Sequence, residues 1–168
     1  MRLPLLAAAA LLVASPTPAF AQLASRSISL ETGLSTPVAG RGPASAALAL
    51  AASTWLADLD VGSLDGVLRV AWSSARETPD RAAADAFAAT AGLRLSLGRA
   101  PVRPQLFADL GWCWWLRGSG AGDGLALGLG AGVEWFPATD VSISACAALR
   151  GTGSDAAGEG VLALAAYF

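Results

Sequence analysis

Leu125, Leu127, Leu129, Ala131, Val133 and Trp135 take every second position of one stretch, and Ala126, Gly128, Gly130, Gly132 and Glu134 fill the gaps. A period of two puts the two sets on opposite faces of a β-strand. The face without leucine is small, glycine-rich and carries one carboxylate, as the lining of a narrow interior would. The leucine face ends in a tryptophan, as a lipid-facing row ends at a headgroup layer. A strand at the surface of a soluble sandwich is polar on its outer side. This one has the form of a transmembrane β-strand, apolar outward and small or polar inward.

The same alternation recurs in eight segments. The first is Ser27–Ser35, with Ile28, Leu30, Thr32 and Leu34 against Ser27, Ser29, Glu31, Gly33 and Ser35. Ala44–Ala57 is the second; alanine blurs its period, and a helix is the alternative reading there. Val67–Ala75, Phe87–Leu97, Gln105–Arg117, Leu125–Trp135, Val141–Arg150 and Val161–Phe168 follow. Turn chemistry separates them. Asp58–Gly66 and Phe136–Asp140 read as turns, Glu77–Arg81, Gly118–Gly124 and Gly151–Glu159 as polar loops, and Gly98–Pro101 with Pro104 as a further turn. Ala82–Ala86 reads as a short helical turn. An even number of strands of about ten residues, joined hairpin to hairpin, predicts an all-β, eight-stranded, antiparallel up-and-down transmembrane barrel.

Hydropathy and the N-terminus agree with a bilayer setting. Mean hydropathy is +0.53, yet no run of about 20 apolar residues is present, so a helical span is excluded. Only helices and closed barrels satisfy their backbones in hydrocarbon. Arg2, the apolar run Leu5–Val13 and Ala19-Phe20-Ala21 predict a signal peptide over 1–21, leaving 22–168 as the barrel domain. The formal net charge is −2 with no basic cluster, which removes the electrostatic basis for nucleic-acid binding.

Charge and aromatic placement follow the strand parity. Glu31, Arg69, Arg94, Asp109, Arg117, Glu134 and Arg150 all fall on the inward parity, where they predict a buried ion-pair set. Charge on the lipid face would cost about 2–4 kcal/mol at mid-bilayer. Trp72, Trp112, Trp114, Trp135, Phe136 and Phe168 are assigned to the membrane–water interfaces, where amphipathic rings sit. Trp55 falls on the wrong parity for that role.

The last strand, Val161-Leu162-Ala163-Leu164-Ala165-Ala166-Tyr167-Phe168, resembles the C-terminal strand of bacterial outer-membrane proteins. Those end in an aromatic residue preceded by apolar residues at alternate positions, matched here by Phe168, Ala166, Leu164 and Leu162. The mature chain as a whole is similar to the small OmpA/OmpX-like barrels. That resemblance implies a bacterial outer-membrane location, contact with outer-membrane lipid, and insertion by the barrel-assembly machinery, which reads the strand ending in Phe168.

Candidate chemistry is sparse. Some eight-stranded barrels modify lipid A or transfer acyl chains, and they use histidine as general base. This chain has no histidine, which removes the commonest proton-transfer group and the usual triads. No metal-ligand cluster or phosphate-binding glycine loop is present, so no enzyme activity, cofactor or metal is expected. Cys113 and Cys146 have inward parity on non-neighbouring strands and read as small buried residues rather than a disulfide. The resulting expectation is a monomer with a structural or surface-interaction role and a side-chain-filled interior. A narrow channel for small solutes and a soluble periplasmic lipid-binding barrel are the two alternatives.

Overall fold

The computed structural model describes residues 26–38, 44–75, 84–116, 123–152 and 155–168. They form eight strands: β1 (Arg26–Pro37), β2 (Ser45–Leu59), β3 (Gly62–Ala75), β4 (Ala84–Leu97), β5 (Val102–Trp115), β6 (Asp123–Ala138), β7 (Val141–Thr152) and β8 (Asp155–Tyr167). Each pairs antiparallel with its neighbours in sequence, and β1 pairs with β8 to close the barrel. A closed sheet has no unpaired edge, which is the condition for a sheet in hydrocarbon. At the seam the Phe168 amide donates to the Arg26 carbonyl at 2.9 Å.

The two ends of the barrel differ. Residues 60–61, 98–101 and 139–140 turn the chain tightly at the end that also holds Arg26 and Phe168. The connections at the other end, across 38–44, 76–83 and 116–122, are longer, and only 153–154 is short. Gly98 holds the β4–β5 turn with φ +77°, a conformation that glycine adopts without a Cβ clash. Its amide also donates to the Val61 carbonyl at 2.7 Å, tying two adjacent turns together.

Leucine rows cover the outside because equivalent positions come into register. Leu30 lies between Leu50 and Leu164, Leu110 faces Leu127, and Leu129 faces Leu149. These side chains are exposed, Leu129 to 65 %. A soluble protein would bury such a continuous apolar surface. Trp72, Trp112 and Trp135 stand exposed on the same face, and Phe168 is exposed at the seam. Trp114 is half-buried, its ring 5.9 Å from that of Phe87. The Trp112 indole donates to Asp123 at 2.8 Å.

The segment read as the second strand, Ala44–Ala57, is strand as expected, and the helical alternative falls away because Ser45–Leu59 pairs along both sides. Other expectations change. A register shift between Trp55 and Ala57 breaks the parity there, so Trp55 and Leu56 are both exposed. That bulge is why Trp55 had the wrong parity in a strictly alternating reading. Asp58–Gly66 is a turn only at 60–61; Gly62–Gly66 belongs to β3. The proposed helical turn at Ala82–Ala86 gives way to strand from Ala84 onward, 82–83 lying outside the described residues. The turn assigned to Pro104 lies inside β5, where Pro104 pairs with Val133. Phe136–Asp140 turns only at 139–140, and Gly151–Glu159 is strand at both ends. Polar residues on a barrel's inner face look like loop residues in sequence, and that is the common cause. The signal peptide over 1–21, together with Arg117, lies outside the described residues.

The barrel interior as the candidate functional site

The small inward faces of two strands make room for charge. On β6, Gly128 pairs with Asp109 of β5 on one side and with Arg150 of β7 on the other. A Cβ at Gly128 would lie 2.6 Å from both Arg150 Nη1 and Asp109 Oδ1. The glycine leaves a gap across which Arg150 Nη1 donates to both Asp109 oxygens at 2.9 Å. Two residues on, the Phe107 ring fills the space over Gly130. At the next rung Gln105 Nε2 donates across Gly132 to Cys146 Sγ at 3.1 Å. The glycine row is a row of receptacles for its neighbours' side chains.

On β2 the inward residues Ala47, Ala49 and Ala51 are buried. Glu31 of β1 lies opposite Ala49, and Arg69 of β3 lies opposite Ala51. Arg69 Nε reaches diagonally over them to Glu31 Oε2 at 2.6 Å. Glu159, on β8, is 6 % exposed and joins the two pairs. Arg69 Nη2 approaches its Oε1 at 3.4 Å, and Arg150 Nε donates to its Oε2. One chain of contacts, Glu31–Arg69–Glu159–Arg150–Asp109, therefore runs through β1, β3, β8, β7 and β5. Buried charges of this kind are stable only when each has partners.

A second polar group lies toward the tight-turn end. Arg94 Nη2 donates to Ser53 Oγ at 3.1 Å and approaches Asp65 Oδ2 at 3.4 Å, while Ser27 and Ser53 share a 2.7 Å bond. Glu134, 2 % exposed, accepts from Ser142 Oγ at 2.7 Å and from Tyr167 Oη at 2.6 Å. Beneath it Phe136 packs against Tyr167, ring centroids 5.4 Å apart, and the Arg103 guanidinium lies 4.5 Å from the Phe136 ring centre. Phe136 therefore shares the inward parity of Glu134 at the tight-turn end, where it packs between Tyr167 and Arg103. The interface position expected for it is corrected, because β6 continues as strand to Ala138. Toward the opposite end Cys113 is buried with Ala86 and Ala126, and Ala88 and Trp115 pack against them as a small apolar cluster.

The interior gathers Glu31, Arg69, Arg94, Asp109, Glu134 and Arg150 from seven different expectations, the seventh being Arg117. Sequence reasoning missed Asp65, Gln105, Glu159 and Tyr167 as members. Continued alternation could have found Asp65, through Ser63, Asp65 and Val67 against Leu64, Gly66 and Leu68. Glu159 likewise shares parity with Val161, Ala163, Ala165 and Tyr167. Cys113 and Cys146 are both free thiols. Among the described residues no group of three or more His, Cys, Asp or Glu side chains is placed to hold a metal.

This architecture is that of the small eight-stranded outer-membrane β-barrels. Among solved structures, Neisserial surface protein A is 14 % identical, with TM-score 0.68 over 85 % of this chain and 96 % of that one. The outer-membrane enzyme PagL is 13 % identical, with TM-score 0.60 over 84 % and 99 %. The N-terminal β-barrel domain of Pseudomonas aeruginosa OprF is 14 % identical, with TM-score 0.56 over 84 % and 97 %. At these identities the likeness is one of fold. No protein-family model and no curated protein matches the chain.

Proposed function

We propose that the protein is a monomeric bacterial outer-membrane barrel with a structural or surface-interaction role and a lumen that does not conduct. It is released from its signal peptide near Ala21 and inserted by the barrel-assembly machinery through the strand ending in Phe168. Outer-membrane lipid covers the leucine rows. The observation that carries this reading is the ion-pair chain from Glu31 to Asp109, which crosses the lumen from β1 to β5. An ion passing it would have to part charge pairs that hold one another in a poorly solvated interior. The exposed leucine rows favour a membrane setting over a soluble lipid-binding barrel.

Two experiments test it. The purified full chain in planar bilayers is expected to give no steady conductance; reproducible open-channel steps would replace this reading with the narrow-channel one. Cell fractionation is expected to recover the protein with the outer membrane. Recovery in the soluble periplasm without detergent would overturn the location and the lipid-facing role of the leucine rows together.

A further inference from the structure

The apolar outside of the barrel is not the same all round. Toward the end with the longer connections, the lipid face carries Trp72 on β3, Phe87 on β4, and Trp112 and Trp114 on β5. Trp72, Phe87 and Trp114 occupy one rung. The rings of Phe87 and Trp114 lie 5.9 Å apart, and Trp72, Phe87 and Trp112 are exposed. Together they make an aromatic ridge centred on β4. Among the described residues, β7, β8 and β1 carry no outward aromatic at this end. Gly158 and Gly160 of β8 stand there at lipid-facing positions. A Cβ at Gly160 would meet nothing within 4 Å, and one at Gly158 only Thr36, 3.7 Å away. With Leu34, Leu129 and Leu149 around them, the two glycines form a shallow apolar groove. Thr36 Oγ1 donates to the Gly158 carbonyl at 3.4 Å, and the Glu159 side chain is engaged inside the barrel by Arg69 and Arg150. The groove therefore presents no polar group in need of a partner.

Ridge and groove are matched in position. In the closed ring of strands, β4 and β8 are equally far apart by either route, so the two features face away from each other across the barrel. Phe87 stands three residues in from Ala84 at the end of β4, and Gly158 three residues in from Asp155 at the end of β8. Two copies inserted in the same direction thus bring the ridge of one level with the groove of the other. A two-fold axis along the membrane normal would set ridge against ridge or groove against groove, and neither pairing is complementary. Surfaces already in lipid gain nothing from hydrophobic burial, so association there rests on close packing at small residues. Aromatic rings laid over Gly158 and Gly160 supply that packing, and the leucine rows elsewhere do not.

We infer that the groove on β8 takes the aromatic ridge of a second copy, so that barrels associate head to tail in the plane of the membrane. Because the two patches oppose each other across the barrel, successive copies are related by translation, and the row stays open where an angled contact would close it into a ring. The inference rests on the lipid-facing reading above. One chain still makes one complete barrel, and the row is a reversible contact between finished barrels.

The test is cross-linking of the full chain in densely loaded lipid vesicles with a short bismaleimide. The unaltered protein, whose Cys113 and Cys146 face the lumen, is the blank. Ala89→Cys beside the ridge and Leu34→Cys beside the groove are expected to give a covalent pair when mixed, and neither to pair with itself. Leu50→Cys mixed with Leu127→Cys, on the equally opposed strands β2 and β6, measures random collision. A ridge–groove mixture that pairs no faster than this control, or single variants that pair with themselves as readily, overturn the inference. Filling the groove with Gly160→Phe is expected to abolish the mixed pair, and an unchanged yield would overturn the proposed contact. Should that variant fail to fold, Phe87→Ala removes the ridge from the other side and is expected to give the same loss. A lipid that co-purifies with the unaltered barrel and is absent from Gly160→Phe, with no mixed pair formed, would assign the groove to an acyl chain and overturn the contact. Membrane-bound barrels that do not pair refute this contact alone, whereas recovery of the protein in the soluble fraction refutes it together with the lipid-facing reading.

Discussion

Strands β2 and β6 both present small residues to the lumen, alanine on one and glycine on the other, and in each case charged neighbours meet over that row. The geometry of the meeting differs. Asp109, Gly128 and Arg150 occupy a single rung, so the bond between the outer two passes directly over the middle residue. Glu31 and Arg69 stand opposite different alanines, and their bond passes diagonally between two methyl groups. A same-rung crossing leaves no space for a Cβ, whereas a diagonal crossing does. The residue type on each strand therefore follows from the register of its neighbours' charges, and not from a general preference for small residues inside a barrel.

This contrast can be broken experimentally. The largest effect is expected for Gly128→Leu, which drives Asp109 and Arg150 apart and leaves both charges buried, at a cost of about 3–5 kcal/mol. Urea titration of the barrel in lipid vesicles, followed by tryptophan fluorescence, measures it. A loss no larger than that of the β2 variant below would sink the distinction. Next comes Leu129→Arg, one residue along the same strand but facing lipid near mid-span. It is expected to lose about 2–4 kcal/mol by placing a cation in hydrocarbon, and its cost should fall in a thinner bilayer while that of Gly128→Leu does not. A cost that ignores bilayer thickness would show that Leu129 does not face hydrocarbon. The smallest effect belongs to Ala51→Gly. Removing this methyl should cost only about 0.5–1 kcal/mol, the backbone penalty of glycine in a strand, because the Glu31–Arg69 bond does not depend on it. A loss comparable to that of Gly128→Leu in the same titration would show that the methyl positions the pair.

The barrel itself was legible because leucine at every second position is a strong periodic mark. Leu125–Trp135 shows both faces of its strand without any structural information, and the inward parity of Glu31, Arg69, Arg94, Asp109, Glu134 and Arg150 follows from the same count. The ends of the strands were harder to see. Near them glycine replaces leucine on the lipid face, as at Gly66, Gly158 and Gly160, so the apolar mark fades while polar lumen residues continue. Asp65 and Glu159 were lost to supposed loops for that reason. Who pairs with whom was not legible at all. Arg69 meets Glu159 from 90 positions away in sequence, and that proximity is set by how the sheet closes.

Closure has a kinetic consequence. The pairing of β1 with β8 joins the first and last strands of the barrel, the longest loop the chain has to close. Contacts of such separation are slow to form because loop entropy is lost before they contribute. Glu159 reaches Arg69 only when that seam is shut, so an unclosed sheet would leave Arg69 with Glu31 alone, while Glu159 keeps only Arg150 of the neighbouring strand. The polar interior thus rewards the finished cylinder over every partly zipped intermediate. Closure of the barrel should then be an all-or-none event, timed by the docking of β8 on β1.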